Sequence, residues 1–341
     1  MEKSLFWCIT LRLGLAAALV FGIPAVVRDG VTALGGRVAA AQDAPTVPAV
    51  VSHRYRIAGR VRLLFLWAGS DRVGTARITW QQDSTVSAIS LLIGSDPQRA
   101  PRGLNEWGYL QERVHNHEAE VFGVRTLSDA VSRGDVQAGA GEGLGPQRFG
   151  AICSLVTTTT DRARVTTVRN PGDLSYRDLP RLLDALSTSA HWEAHQVARP
   201  SDAEPGFLTA FARLMGSSVS GAGPPLSSVA YVYQGKVYDL LLRHSEPTAD
   251  LRVGESAFHN LIRARYTVRE RATGRSTQFL VTYGSEGALA GIPGEAVYQP
   301  HWWLRIELSL DDGVDVPVDP ASDQHLLRRT QRLCAAAQSA G

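Results

Sequence analysis

The chain has 341 residues, of which 44% are hydrophobic and 20% charged, with a formal charge of +2 at pH 7. That composition excludes a disordered or fibrous protein, and so small a net charge gives no long-range attraction to nucleic acid. The basic residues are almost all Arg, with Lys3 and Lys236 the only lysines.

Export is the first expectation. Lys3 and Arg12 precede an uncharged apolar or small run from Leu13 to Val27, which Arg28 and Asp29 close. The run is shorter than the roughly 20 residues a spanning helix needs, and it contains Pro24. Ala39-Ala40-Ala41 before Gln42 fits the small-x-small rule of signal cleavage. Residues 1–41 therefore read as a signal peptide, and the mature chain as a periplasmic or secreted protein of the cell envelope without a transmembrane segment. The polar stretch from Arg28 to Ala41 is long for a signal, which keeps a retained N-terminal anchor as the alternative. Cleavage would remove four basic residues (Lys3, Arg12, Arg28, Arg37) and two acidic ones (Glu2, Asp29) and leave a net charge of zero.

Residues 42–50 read as a Pro/Ala linker, and 51–340 as one α+β domain with a helical insertion around 174–216. From Tyr55 the odd positions are apolar (Tyr55, Ile57, Val61, Leu63, Phe65, Trp67), while Arg54, Arg56, Arg60 and Arg62 fall between them. Period-2 alternation predicts a strand with one buried and one solvated face. Its length calls for a bend, for which Gly59 is placed. A turn is expected at Gly69-Ser70-Asp71, then strands at Val73–Trp80 and Val86–Ile93, a loop from Gly94 to Glu106 and a strand near Glu120–Val124. The glycines of 132–148 read as a loop and lack the dinucleotide-binding spacing. A hairpin is expected over Ala151–Val168.

Helical spacing appears at Tyr176–His195, with Leu179, Leu182, Leu183 and Leu186 in phase, and again at Pro205–Met215 with Gly216 as a stop. Hairpins follow at Val229–Arg243 and Leu261–Tyr283. In the next strand Trp302, Leu304, Ile306, Leu308 and Leu310 share one face, so Trp303 points outward. A helix from Ser322 to about Gln338 ends the chain, with Leu327 and Cys334 on one side. The fold class is α+β: a curved antiparallel sheet, half-barrel or barrel-like, with a helical middle segment and a C-terminal helix.

Two stretches, Tyr55 through Val73-Gly74-Thr75-Ala76-Arg77 and Gly287 to Pro293 followed by Trp302-Trp303-Leu304, resemble an uncharacterised family of secreted β-rich bacterial proteins. That family is loosely similar to the open barrels of lipoprotein carriers. The resemblance implies a curved antiparallel sheet with no assigned catalytic residues. The helical middle departs from it.

The chemistry-bearing candidates are few. His191 and His195 would share a face if their segment is helical and could hold a metal, with His115 or His117 as a third ligand. Glu193 is not where the H-E-x-x-H motif puts its base. No G-x-S-x-G pentapeptide is present, and Cys153 has no obvious His partner. Cys153 and Cys334 read either as a disulfide in an oxidising compartment or as two buried thiols. Candidate ligand-binding residues are Trp107, in a charged and proline-stiffened loop, Trp303, and Arg263 with Arg265 on an Arg-laddered strand. The leading expectation is a non-enzymatic protein that binds or carries an apolar or amphipathic envelope component, or scaffolds envelope assembly. Its partners would be lipid, glycolipid or polysaccharide, with no nucleic acid and no cofactor. The alternative is a metal-dependent periplasmic hydrolase using a His191/His195 helix.

Overall fold

The computed structural model describes residues 49–339 apart from 64–65, 83–85, 101–102, 116–117, 128–147, 170–173, 220–225, 254–255 and 312–319. The signal segment, almost all of the linker, His117 and nearly all of the glycine-rich 132–148 stretch lie outside the described residues.

Seven strands follow one another as antiparallel neighbours. They are β1 (Ala49–Leu63), β2 (Leu66–Gln82), β3 (Val86–Ser95), β4 (Trp107–His115), β5 (Glu118–Leu127), β6 (Arg148–Val156) and β7 (Thr160–Arg169). Two edge strands come next in the chain, β8 (Glu193–Ala198) on β7 and the two-residue β9 (Ala203–Glu204). The C-terminal half adds β10 (Ser228–Tyr233) and β11 (Lys236–Thr248), then a separate small hairpin of β12 (Leu251–Val253) and β13 (Ser256–Phe258). It continues with β14 (Leu261–Glu270), β15 (Ser276–Gly284), β16 (Pro293–His301) and β17 (Leu304–Leu310). Among the described residues this is a single 15-stranded sheet in the order β8-β7-β6-β5-β4-β3-β2-β1-β17-β16-β15-β14-β11-β10-β9. The first and last strands pair at its centre, Ile57 opposite Leu308.

The connectivity requires curvature. The edge strands β8 and β9 lie at opposite ends of the ladder, yet only residues 199–202 join them. The sheet therefore curls back until its ends approach, although β8 and β9 do not pair and no barrel closes. A Cβ placed on Gly235, in the β10–β11 turn, would sit 3.3 Å from the His195 Cβ on β8. That turn has positive φ at both Gln234 and Gly235, the backbone a two-residue hairpin needs and glycine adopts freely.

Helix α1 (Leu179–Ser189) and helix α2 (Phe207–Val219) come from the middle of the chain, and α3 (Pro320–Ser339) ends the described part. Phe207, Leu208, Ala210, Phe211, Leu214 and Met215 are all buried. At about 100° per residue they form one wide apolar face of roughly 160°, and the curled sheet encloses that face. Phe207 meets Tyr231 edge-on at 5.5 Å, and Phe211 meets Tyr266 at 5.1 Å. The inner face adds a group of fully buried tyrosines, including Tyr55, Tyr238, Tyr283 and Tyr298. On the outer face, α1 and α3 cover β4–β6 in a second core, where Leu182, Leu183 and Leu186 join Trp107, Phe149 and Leu333. A disulfide links Cys153 of β6 to Cys334 of α3 across 181 residues. It resolves the choice between bridge and free thiols.

Three expectations need correction. The helix expected over 176–195 ends at Ser189, and 193–198 is strand β8. Beyond Leu186 the next three residues are Ser187, Thr188 and Ser189. Ser187 and Thr188 donate to the Asp184 carbonyl, and Ser189 to that of Ala185. Such back-bonding weakens a helix, and Ala190 is already extended. The turn expected at Gly69-Ser70-Asp71 instead lies inside β2, and the hairpin reverses between Leu63 and Leu66. Gly69 serves close approach, because a Cβ there would stand 2.0 Å from the Gly59 carbonyl oxygen. Finally, Trp302 and Trp303 form the turn between β16 and β17, so strand parity does not reach them. Trp303 is buried and Trp302 is 57% exposed, the reverse of the expectation.

Candidate functional site

The alternation that defines β1 holds for Tyr55 and Ile57, both buried. A register shift then occurs between Ile57 and Gly59. Past it the β1–β2 hairpin continues as Gly59–Leu63 against Leu66–Ser70, while β3 stops pairing with β2 at Gly74. At about 3.3 Å per residue, the hairpin measured along β1 from Ile57 to Leu63 extends roughly 20 Å beyond β3. Leu64 and Phe65 lie outside the described residues.

Leu66 is 64% exposed and Trp67 37%. The β16–β17 turn lies alongside. Val61 pairs with Leu304, and the Arg62 amide donates to the Trp303 carbonyl at 2.8 Å. Continuing that register puts Trp302 level with Leu63, which pairs with Leu66. The end of the sheet is thus built in rows across three strands. The outermost holds Leu66, Leu63 and Trp302. The next holds Trp67, Arg62 and Trp303. Two rows further in, Arg60 stands beside Arg305. Trp303 is fixed by stacking on His301 at 5.3 Å and 3°, and the Trp302 carbonyl accepts from Gln299 Nε2 at 3.3 Å.

The inner arginine row is held by carboxylates. Arg60 reaches Glu307 Oε2 at 3.2 Å and Asp71 Oδ1 at 2.7 Å. These partners raise the Arg60 pKa, through the Glu307 hydrogen bond first, and keep it charged. Arg72 is fully on the surface of the same ribbon. Tethered cations thus stand behind exposed apolar side chains.

Buried acids elsewhere serve structure. Glu112 accepts from the backbone amides of Leu208 (2.7 Å) and Thr209 (2.8 Å) and from the Thr209 hydroxyl (2.6 Å) at the start of α2. A carboxylate there meets unpaired amides and the positive end of the helix. Burial still pushes the Glu112 carboxyl above its ordinary range, against those three donors. Gly206 makes room for it, since a Cβ would lie 2.3 Å from the carboxyl carbon. Burial likewise raises Asp161, which faces Ser154, the Gly235 backbone and Arg199 where the sheet ends approach. Burial would raise Asp239 too, but Arg271 and Arg269 outweigh it and hold that carboxyl low.

The residues singled out from sequence do not converge. Trp107 is a core residue, 4% exposed, packed on Phe149 and donating Nε1 to the Leu174 carbonyl at 3.0 Å. It is not a ligand contact in an open loop. Arg263 and Arg265 are exposed on the outer face of β14, as their alternation predicts. His191 and His195 are exposed too, with His195 in a strand. His191 precedes that strand, so the helical face that was to bring the two imidazoles together is not formed. Among the described residues no three His, Cys, Asp or Glu side chains are placed to hold a metal. No described helix is long and apolar enough to cross a membrane.

Strand parity carried into a turn passes over Leu66 and sets Trp302 on the buried face. The available signal was the unbroken apolar run Leu63-Leu64-Phe65-Leu66-Trp67, which defies alternation where alternation otherwise rules. No family model matches this chain, and no curated protein or solved structure matches it.

Proposed function

We propose that this is an exported, non-enzymatic protein that binds an apolar or amphipathic component of the cell envelope at the hairpin end of its sheet. The observation carrying the reading is the exposed group of Leu66 and Trp67 on β2 and Trp302 in the β16–β17 turn, backed by Arg60 and Arg72. Large apolar side chains clustered in water mark an interaction site. The concavity is filled by α2 and its aromatic neighbours, which supports a binding surface outside it. The Cys153–Cys334 disulfide suits an oxidising compartment.

The test uses the mature chain and a monomeric amphiphile, lysophosphatidylglycerol below its micelle concentration. Tryptophan emission should shift to the blue on titration, and Trp302→Ser should weaken the apparent affinity about tenfold, a 1.4 kcal/mol effect. No saturable response in the wild-type protein would overturn the reading. So would an unchanged affinity in both Trp302→Ser and Leu66→Asp.

A further inference from the structure

We infer that the partner at this end of the molecule is the surface of an anionic lipid bilayer, into whose interfacial zone the β1–β2 hairpin and the Trp302 turn dip. This rests on the reading above and deepens it. The argument is the order of side chains along the hairpin axis. The outermost row carries Leu66 and Trp302, the next carries Trp67 beside Arg62, and Arg60 with Arg305 stands two rows behind. An interface has the same order: acyl boundary, then a belt that favours tryptophan, then phosphate that attracts arginine. A protein groove would not require apolar, aromatic and cationic groups to be sorted by depth.

The backbone limits how far the tip enters. Inner amides and carbonyls of the ribbon pair across the hairpin, but beyond Gly74 β3 no longer pairs the outer edge of β2. Unpaired backbone groups are too costly in hydrocarbon, so the ribbon rests at headgroup depth. Charge agrees with this. The ribbon and the β17 residues beside it carry Arg60, Arg62, Arg72 and Arg305 against Asp71 and Glu307, whereas the chain after Ala41 is neutral overall. The local excess of positive charge favours anionic over zwitterionic lipid.

The experiment is flotation of the mature protein with vesicles of phosphatidylcholine alone or mixed with phosphatidylglycerol. Emission is followed in parallel with lipids brominated near the headgroup or deep in the chain. The wild type should float with the mixed vesicles, be quenched most by shallow bromines and release as salt rises. Leu66→Asp and Trp302→Ser should each cut partitioning about tenfold, and Arg72→Glu should remove the preference for phosphatidylglycerol. All three sites are exposed, and circular dichroism with a thermal melt verifies that each variant is folded. Absence of the wild type from both kinds of vesicle overturns the inference, as does equal partitioning of the wild type and Leu66→Asp. If lysophosphatidylglycerol still binds in that case, the partner is a single amphiphile and the preceding reading survives; if it does not, both fail. A Leu66-dependent dimer without lipid would assign the surface to a second copy and also overturn the inference.

Discussion

Glu112 and Asp239 are both carboxylates set into the sheet, and their surroundings give them opposite dependence on pH. At Glu112 the removal of the side chain would orphan two buried amides at the start of α2. Glu112→Ala is expected to cost about 2–4 kcal/mol, combining a lost helix cap with unsatisfied donors, as read by urea unfolding. A cost under about 0.5 kcal/mol, the scale of an ordinary surface substitution, would mean that the cap is idle. Asp239 accepts from Arg269 at 3.0 Å and from Arg271 at 2.8 Å. Its carboxyl is held below the ordinary value of 3.8. A depressed pKa stabilises the fold above the unfolded value, and that contribution is lost as pH falls through the folded one. Asp239→Asn should therefore destabilise the protein near neutral pH by about 1–3 kcal/mol, and the gap to wild type should close as the pH falls below the ordinary value of 3.8 and through the depressed one. A gap of constant size across the titration would show that the loss is steric rather than ionic. Neither role was legible in the sequence, because each depends on strands or helices far away along the chain.

Among the elements, those with clear periodicity were the legible ones. The helix carrying Leu179, Leu182, Leu183 and Leu186 lies where its phase puts it, and the β10–β11 and β14–β15 hairpins lie within the expected spans Val229–Arg243 and Leu261–Tyr283. The terminal helix turns Cys334 toward the sheet as its phase requires. What periodicity misses is where one element hands over to the next. Gly69 carries a turn residue's signature but is used for close packing between strands, and Trp302 extends a strand's pattern into its turn. The buried side of α2 follows from the same phase, since Phe207, Leu208, Phe211, Leu214 and Met215 all fall on one face of that helix. Its packing gives a sharp expectation. Phe211 touches Phe207, Tyr266 and Phe279 within 6 Å, so Phe211→Ala should cost about 3–5 kcal/mol. Arg213, the exposed position on the same helix, pairs only with Glu204 at the surface, so Arg213→Ala should cost under about 1 kcal/mol. Equal effects in denaturant unfolding would mean that α2 is not enclosed.

At the scale of the whole molecule, the sheet holds two cores on opposite faces, and the disulfide spans only the outer one. The curved antiparallel sheet was legible from the long bent strand at its centre. Its fifteen-strand extent was not, since no single strand announces its neighbours. Through Cys153, β6 is bonded to α3, and Gln338 adds hydrogen bonds from its Nε2 to the carbonyls of Cys153 and Arg162, each at 3.0 Å. Gln111 and Thr330 join the same helix to β4 at 2.9 Å. The bridge encloses 181 residues of separation, which in the chain-entropy model corresponds to about 5 kcal/mol, with measured effects often smaller. Because α1 and α3 rest on each other through Arg329 and Asp184 at 3.0 Å, loosening α3 should loosen both helices and expose Trp107, Phe149 and Leu182. The inner core around α2 makes no use of the bond. Denatured, unreduced protein beginning at Gln42 should show no reactive thiol, and two thiols after reduction. Hydrogen exchange in the reduced protein should accelerate first in 179–189 and 320–339, while 207–219 stays protected. Two free thiols before reduction would remove the covalent tie from the account. Simultaneous loss of protection in all three helices would show instead that the two cores unfold as one unit.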